Sequence, residues 1–146
     1  MNPTQIERVA IASLRLDPAN ARKHDEKNLA AIKGSLTAFG QQKPIVIGAD
    51  GVVIAGNGTL EAARALGWQD ILVARSDLAG DQRTAYAIAD NQSAILAAWD
   101  DEILTSTLRA LDEGGFDIGT IGFEGFDFSV PPGPGLTDPD EIPEQV

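Results

Sequence analysis

The stretch "AGNGTLEAARALG" (residues 55–67) places two glycines around an asparagine, followed by a threonine and a run of helical spacing. Leu60, Ala63 and Leu66 would give this helix one apolar side. A glycine-rich turn that leads into a helix exposes unpaired backbone N–H groups at the positive end of the helix dipole, which favours an anion. The same residues also fit a plain tight turn in which Thr59 caps the helix. The stretch therefore predicts a turn and a helix, and its role stays open between phosphate binding and chain geometry.

Strands are predicted on both sides of this turn. The segment "KPIVIGADGVVIAG" (residues 43–56) contains two apolar runs joined at Asp50 and Gly51, a pair typical of a β-hairpin. The segment "DILVAR" (residues 70–75) also has strand character, and a further strand is predicted near residues 9–11. The quoted stretch thus connects a hairpin to the strand that follows it.

Helices are predicted before and after this unit. One runs from a cap at Asp25 to a stop at Gly40, with apolar residues at spacings of three, four and three. Those apolar residues are Leu29, Ile32, Leu36 and Phe39. Two more helices are predicted, at residues 81–96 and after a cap at Asp100 or Asp101. The last helix is expected to bury a seam of Ile103, Leu104, Leu108 and Leu111.

The order of these elements predicts an α/β (α+β) fold, in which a small mixed sheet with flanking helices is followed by a helical C-terminal part. Residues 1–128 are expected to form one domain, with a core at 9–75 and a helical extension at 80–128. Residues 129–146 contain five prolines, four acidic residues and no helical period, which predicts a flexible acidic tail.

Cysteine is absent, and His24 is the single histidine. Disulfides, thiolate nucleophiles and thiolate metal sites are therefore excluded, as is a metal centre built from several imidazoles. A metal would have to be a hard ion held by oxygen ligands. The acid–amide pair Asp90 and Asn91 is a candidate for such a site, although it also fits polar helix surface.

The net charge of −11 is unevenly distributed along the chain. Residues 1–75 carry nine Lys/Arg and seven Asp/Glu, a net +2, whereas residues 76–146 carry two and fifteen, a net −13. Affinity for DNA phosphates comes largely from Lys and Arg that displace counterions, so weak or no nonspecific DNA binding is predicted. The acidic half fits either a solubilising surface or a face that docks on a basic partner. Neither a signal peptide nor an apolar run of membrane-spanning length is present, which predicts a cytoplasmic location without a membrane partner.

Two polar segments are candidate ligand-binding loops. The segment "NARKH" (residues 20–24) combines an amide, two cations and a titratable ring, and Arg22 can fork onto two phosphate oxygens while Lys23 adds a point charge. In "GQQKP", the amides of Gln41 and Gln42 could read a base edge or a sugar. Taken singly, each segment also fits a solvated loop.

Read together, residues 16–68 resemble the N-terminal ParB/sulfiredoxin-like domain. In the ParB family a loop with Asn and Arg precedes a helix, and a Gly-x-x-x-Pro segment then leads into an apolar strand. A hairpin follows, and after it a Gly-x-x-Arg turn begins an Ala-rich helix. The match covers about residues 9–75. The following segment, to about Phe126, looks like the shorter branch encoded in phages and prophages, often beside or fused to DNA methyltransferases.

The resemblance implies that CTP or ATP, with Mg²⁺, lies with its phosphates over the glycine-rich turn. The loop at residues 20–24 and the segment at residues 41–44 would line the same pocket. The binding residues implied are Gly56, Asn57, Gly58, Thr59, Asn20, Arg22, Lys23, His24, Gln41 and Gln42. Relatives of this fold include a CTP-driven partition clamp, kinases of free serine or of a modified DNA base, sulfinic acid reductases and reported nucleases, so fold alone does not settle function.

Departures from the family pattern narrow the choice. Sulfiredoxin chemistry needs a cysteine that this sequence lacks. Partition proteins continue into helix-turn-helix and dimerisation domains, whereas the last third of this sequence is acidic, so we do not expect a complete partition protein. The usual arginine of the turn is Thr59, which replaces a forked cation by one hydroxyl. Weak nucleotide binding and slow turnover are therefore predicted. Arg22, Lys23 or Arg64 could supply the positive charge that the missing arginine would have brought.

Three functions follow from these features. The favoured one is a nucleotide-binding, or nucleotide-derived, accessory domain in DNA metabolism or modification, which acts with a DNA-modifying or other DNA-associated partner. The second is an enzyme, either a phosphotransferase acting on a small hydroxyl compound or modified base, or a metal-dependent nuclease. The third is an adaptor that has kept the fold and lost its ligand.

Overall fold

The computed structural model describes residues 5–20 and 22–129, which form four strands, four helices and two short 3₁₀ turns. The strands are β1 (Ile6–Ala10), β2 (Ile45–Ile47), β3 (Val53–Ala55) and β4 (Asp70–Arg75). The helices are α1 (Glu26–Phe39), α2 (Asn57–Ala65), α3 (Gly80–Leu96) and α4 (Asp101–Glu113), and the 3₁₀ turns are Ile11–Ser13 and Ile118–Ile121. The predicted tail at residues 129–146 lies outside the described residues, apart from Ser129.

The four strands form one mixed sheet in the order β1-β4-β2-β3. Strand β4 pairs antiparallel with β1 and parallel with β2, while β2 and β3 form the antiparallel hairpin. The parallel pair needs a crossover, and the segment from β3 through α2 supplies it. This mixed sheet with flanking helices is the α/β fold that the sequence predicts.

Alternation along the strands sends one set of side chains into the core. Ile71 and Val73 of β4 and Val53 of β3 are fully buried. Helices α1 and α2 pack against each other over this set. The remaining buried members of the core are Ile11, Leu14, Leu36, Ile45, Ile47, Leu60, Ala62 and Ala63.

Local capping and turn chemistry fix the first helix and the hairpin as predicted. The carboxylate of Asp25 accepts a hydrogen bond from the backbone N–H of Asn28 at 2.7 Å and caps α1. Gly40, at φ +71°, ends the helix. The hairpin turns at Gly51, whose φ of +78° is readily adopted only by glycine.

Two predictions about the helices are wrong, one about a cap and one about burial. Helix α2 is capped by Gly56 rather than Thr59, because the chain turns into the helix through a left-handed residue one step after β3. Of the four residues in the predicted apolar seam of α4, Ile103 and Leu111 are exposed at 64% and 38%, Leu104 is half-buried and Leu108 is buried. Helix α4 packs mainly on the Ile118–Ile121 turn, which leaves part of the seam uncovered.

The described part of the C-terminal region is tied to α1. Phe116 stacks on Phe39 with parallel rings 6.0 Å apart, and Gly34 lies so close to the backbone oxygen of Thr120 that a side chain there would collide with it. Contacts between α1 and the Ile118–Ile121 turn continue this interface. Among the helices of the described residues, none has both the length and the apolar character needed to cross a lipid bilayer.

Candidate functional site

The first turn of α2 opens onto a cleft with a volume of about 400 Å³, here called the α2 cleft. Strands β2 and β3 form its floor, the loop before α1 forms one wall and α3 forms the other. Nine of the residues singled out in the sequence line it: Asn20, Arg22, His24, Gly56, Asn57, Gly58, Thr59, Asp90 and Asn91. The fold thus brings most of the predicted residues to one place.

Backbone geometry at the start of α2 leaves hydrogen-bond donors without partners. Gly56 has φ +107°, and a Cβ there would lie 2.5 Å from a methyl carbon of Ile45, so both conformation and space require glycine. The first intrahelical donor is the N–H of Leu60, which bonds to the carbonyl of Gly56 at 3.0 Å. The N–H groups of Asn57, Gly58 and Thr59 have no partner among the described residues.

The side chain of Asn57 has a structural role. Its Oδ1 accepts the backbone N–H of Asp17 at 3.0 Å, and the residue is only 7% exposed. This bond ties the loop before α1, which forms one wall of the cleft, to the first turn of α2. The backbone N–H of Asn57 can donate to a phosphate, whereas its side-chain oxygen is an acceptor and offers a phosphate no donor.

Turn chemistry in the loop before α1 directs Arg22 to the cleft. Asn20 Oδ1 accepts the backbone N–H of Arg22 at 3.2 Å, which closes a small Asx turn. Neither Arg22 nor Lys43, the second cation of the cleft, forms an ion pair with a described carboxylate. Both are free to meet an anion that sits on the first turn of α2.

Lys43 lies within the segment 41–44 that was expected to line the pocket, but the residues singled out there were the amides Gln41 and Gln42. The side-chain amide of Gln41 bonds both backbone groups of Leu72, donating at 2.9 Å and accepting at 2.7 Å. Gln42 Nε2 donates to the carbonyl of Phe39 at 2.7 Å, at the end of α1. Both amides lie outside the α2 cleft. The position of Lys43 in the sequence indicates that it lies at the cleft, because it comes just before β2, one of the two strands that form the cleft floor.

The other predicted cations are placed elsewhere. Lys23 does not line the α2 cleft and faces two adjoining grooves. Arg64, at the far end of α2, donates to the carbonyl of Leu14 at 2.8 Å and braces the chain after β1. Of the three replacement cations considered for the missing arginine, only Arg22 reaches the site.

His24 packs against the helix start. A Cβ on Gly58 would lie 2.6 to 2.9 Å from three ring atoms of His24, so the second glycine of the turn makes room for the imidazole. Nδ1 of the ring hydrogen-bonds to Oδ1 of Asn28, one turn into α1. The ring is therefore held between two helices at the edge of the cleft.

Helix α3 contributes Asp90 and Asn91 to the opposite wall. Asn91 Nδ2 donates to the carbonyl of Ala87 at 3.1 Å within the helix. In residues 5–20 and 22–129 no group of three His, Cys, Asp or Glu side chains could hold a metal ion. A Mg²⁺ in this cleft would therefore take most of its oxygen ligands from phosphate and water, with Asp90 as the nearby carboxylate.

No protein-family model and no curated protein matches this sequence. Solved structures do match in fold. The C-terminally truncated chromosome-partitioning protein ParB from Caulobacter crescentus, complexed with CTP-gamma-S, superposes with a TM-score of 0.69 at 19% identity over 81% of this chain and 71% of its own.

Two further structures agree with this result. The same C. crescentus protein complexed to the centromeric parS site gives a TM-score of 0.51 at 19% identity, over 80% of this chain and 64% of that one. A Pnob8-like ParB-N domain superposes with a TM-score of 0.53 at 19% identity, over 76% of this chain and 45% of that one. The chain therefore has the ParB/sulfiredoxin-like fold that the sequence resemblance implies.

Proposed function

We propose that the α2 cleft binds a nucleoside triphosphate, with CTP as the first candidate, and that the phosphates lie on the first turn of α2. The observation that carries this proposal is the set of three unpartnered N–H groups at Asn57, Gly58 and Thr59, facing a cleft that Arg22 and Lys43 line. Helix N-termini of this kind favour anions through their dipole and their free donors. The fold match to a ParB complexed with CTP-gamma-S supports the choice of nucleotide.

Thr59 limits how tightly this site holds phosphate. A forked arginine would add charge-assisted hydrogen bonds worth about 1.5–3 kcal/mol each, and the threonine hydroxyl offers one neutral bond. Arg22 and Lys43 replace part of the charge from the other walls of the cleft. We therefore expect measurable but weak nucleotide binding and slow turnover.

In this proposal the domain is an accessory in DNA metabolism or modification and acts with a DNA-associated partner, in a phage or prophage setting. The sequence resemblance supports that setting. The net charge of −11 supports the need for a partner, because the chain has few cations with which to hold DNA by itself.

A phosphotransferase is the second candidate, and Asp90 is the observation that favours it. This carboxylate lines the same cleft as the phosphate-binding turn, where it could accept a proton from an acceptor hydroxyl. A metal-dependent nuclease has less support, because the described residues offer no cluster of metal-binding side chains.

Titration calorimetry with CTP, ATP and GTP in the presence of Mg²⁺ tests the proposal. Lys43→Ala should weaken binding about tenfold, since about 1.4 kcal/mol corresponds to one decade of affinity. Lys27→Ala is the matched control, because Lys27 is an exposed lysine of α1 outside the cleft. Thr59→Arg should tighten binding by at least about tenfold while the fold is kept.

Two outcomes would contradict this assignment. If the wild type binds CTP with low-micromolar affinity and Thr59→Arg abolishes binding, Thr59 itself contacts the phosphate or Mg²⁺. If neither protein releases heat with any of the three nucleotides, the adaptor function takes the place of nucleotide binding.

A further inference from the structure

The contact between His24 and Asn28 determines which ring nitrogen carries a proton. The partner of Nδ1 is the amide oxygen of Asn28, which can only accept a hydrogen bond. Nδ1 must therefore carry a hydrogen whether the ring is neutral or charged. The nitrogen left to gain or lose a proton is Nε2.

Nε2 is also the nitrogen that a ligand can reach. It has no hydrogen-bond partner among the described residues, whereas every buried side-chain nitrogen or oxygen of those residues has one. Nε2 is therefore accessible to solvent, although the ring is half-buried. It lies beside Gly58, next to the free N–H groups of the first turn of α2.

A neutral His24 ring offers a phosphate group no hydrogen-bond donor at Nε2. Deprotonated Nε2 presents a lone pair, which would repel a phosphate oxygen, whereas protonated Nε2 presents a donor and a positive charge. We propose that His24 takes up one proton at Nε2 when a phosphate group binds in the α2 cleft, and that Asn28 is the positioning residue that makes Nε2 the titrating atom. This inference rests on the proposed function and adds its pH dependence.

The charges around the ring come from four elements. The loop before α1 contributes the cation Arg22, and the segment before β2 contributes the cation Lys43. Asp90 of α3 faces the same cleft as a carboxylate. A groove on the other side of the ring adds Asp17, Lys23 and Glu61. A triphosphate brings several negative charges into this balanced set, and so shifts it towards the protonated ring.

Proton uptake makes nucleotide affinity depend on pH. Where the free ring is neutral, the affinity for CTP should fall by up to about tenfold for each unit of rising pH, because one proton is bound with each ligand. The terminal phosphate of CTP titrates in the same range, with a pKa near 6. The contribution of His24 is therefore the difference in the pH dependence of CTP affinity between the wild type and His24→Gln.

Nuclear magnetic resonance of the imidazole is the first test. The chain has one histidine, so its ring nitrogens are assigned without ambiguity. In the free protein at about pH 8, we expect the proton on Nδ1, and CTP should convert the ring to the doubly protonated form. A proton on Nε2 and none on Nδ1 would overturn the inference whatever CTP does.

Calorimetry in two buffers of different ionisation enthalpy is the second test. The wild type should take up more protons with CTP than His24→Gln does, by up to one per site at about pH 7.5. Equal proton uptake in the two proteins, with CTP binding intact, would overturn the inference and leave the proposed function standing. Absence of CTP heat in both proteins at about pH 6 and pH 8 would overturn the proposed function, and the inference with it.

Variants at Asn28 separate positioning from simple structure. Asn28→Asp keeps an acceptor on Nδ1 and adds a negative charge, so the pH profile of CTP binding should move to higher pH. Asn28→Ala removes the acceptor, and the profile should flatten. The cap of α1 survives both changes, because Asp25 accepts the backbone N–H of residue 28. An Asn28→Ala protein with the wild-type pH profile would contradict the positioning role.

Discussion

The first three residues of the Gly-Asn-Gly-Thr turn have separate physical tasks. Gly56 supplies a left-handed conformation beside Ile45, Asn57 ties the preceding loop to the helix, and Gly58 makes room for His24. Chain geometry and anion binding are therefore not alternatives at this turn. The same constraints that force the chain into α2 leave its first N–H groups open to the cleft.

Alanine substitutions at the two glycines should have different effects. Gly56→Ala forces a side chain into a left-handed conformation and against Ile45, and should cost about 1–3 kcal/mol of stability. Gly58→Ala has a compatible backbone but displaces the His24 ring, so it should change CTP binding more than stability. Thermal melts and calorimetry of both variants check this. A Gly58→Ala protein that melts lower than Gly56→Ala would contradict the account.

The candidate site residues identified from the sequence either lie close to the turn along the chain or belong to the pattern shared with the ParB family. Arg22 and His24, which were singled out in this way, line the cleft, whereas in the segment 41–44 Gln41 was singled out and Lys43 is the residue that lines it. The difference depends on which side chain of a short connection faces the sheet backbone and which faces the cleft. Gln41 is drawn away by two hydrogen bonds to Leu72, a residue 31 positions later in the chain.

Helix α3 is the element that forms one wall of the cleft with little packing of its own. None of its described residues is buried, and its contacts with the sheet run to β3. Arg83 links it to the hairpin turn through two hydrogen bonds of 3.3 Å to Asp50, and its guanidinium fills the space beside Gly48. This link helps to hold Asp90 in place across the cleft.

The link should depend on pH. The backbone N–H of Val52 and the Arg83 guanidinium hold the pKa of Asp50 below its ordinary value of 3.8. Ionised Asp50 therefore stabilises the fold above that value, and this contribution is lost as the pH falls through the lowered pKa. Asp50→Asn should lower the melting temperature at about pH 7, and the difference from the wild type should shrink as the pH falls below 3.8. A difference that stays constant over that acid range would contradict this.

Elements with local determinants were predicted well, and those that depend on distant partners were not. Helix α1 and the hairpin follow from a cap, a stop and a turn glycine within a few residues. The buried seam of α4 was wrong because burial requires a partner surface. Ile103 shows this most clearly, since it fits the helical period and is still 64% exposed. Periodicity predicts a helix but not which neighbour covers it.

The whole molecule divides its charge between a nearly neutral sheet region and an acidic remainder. The α2 cleft gathers the cations Arg22 and Lys43 from the first part, while eleven of the eighteen described Asp and Glu residues lie after β4. Such a field favours a small anion in the cleft and opposes a long polyanion over the surface. We therefore expect a nucleotide to bind in the cleft, and we expect the protein to need a partner to act on DNA.

The segment beyond Ser129 should contribute little to stability. Its five prolines and four acidic residues offer no apolar period to bury, and ordering each residue would cost about 1–2 kcal/mol without compensation. Ending the chain at Ser129 should therefore change the melting temperature by less than about 2 °C. A loss of many degrees would show that this segment packs on the core.

The most direct test of the central claim is to observe the backbone amides of the α2 turn while CTP and Mg²⁺ are added. In two-dimensional ¹⁵N–¹H spectra, the amide signals of Asn57, Gly58 and Thr59 should shift most and saturate together. The amides of α4, far from the cleft, serve as the internal reference. Saturating shifts centred on another part of the chain, with these three signals unmoved, would contradict the assignment of α2 as the phosphate-binding turn.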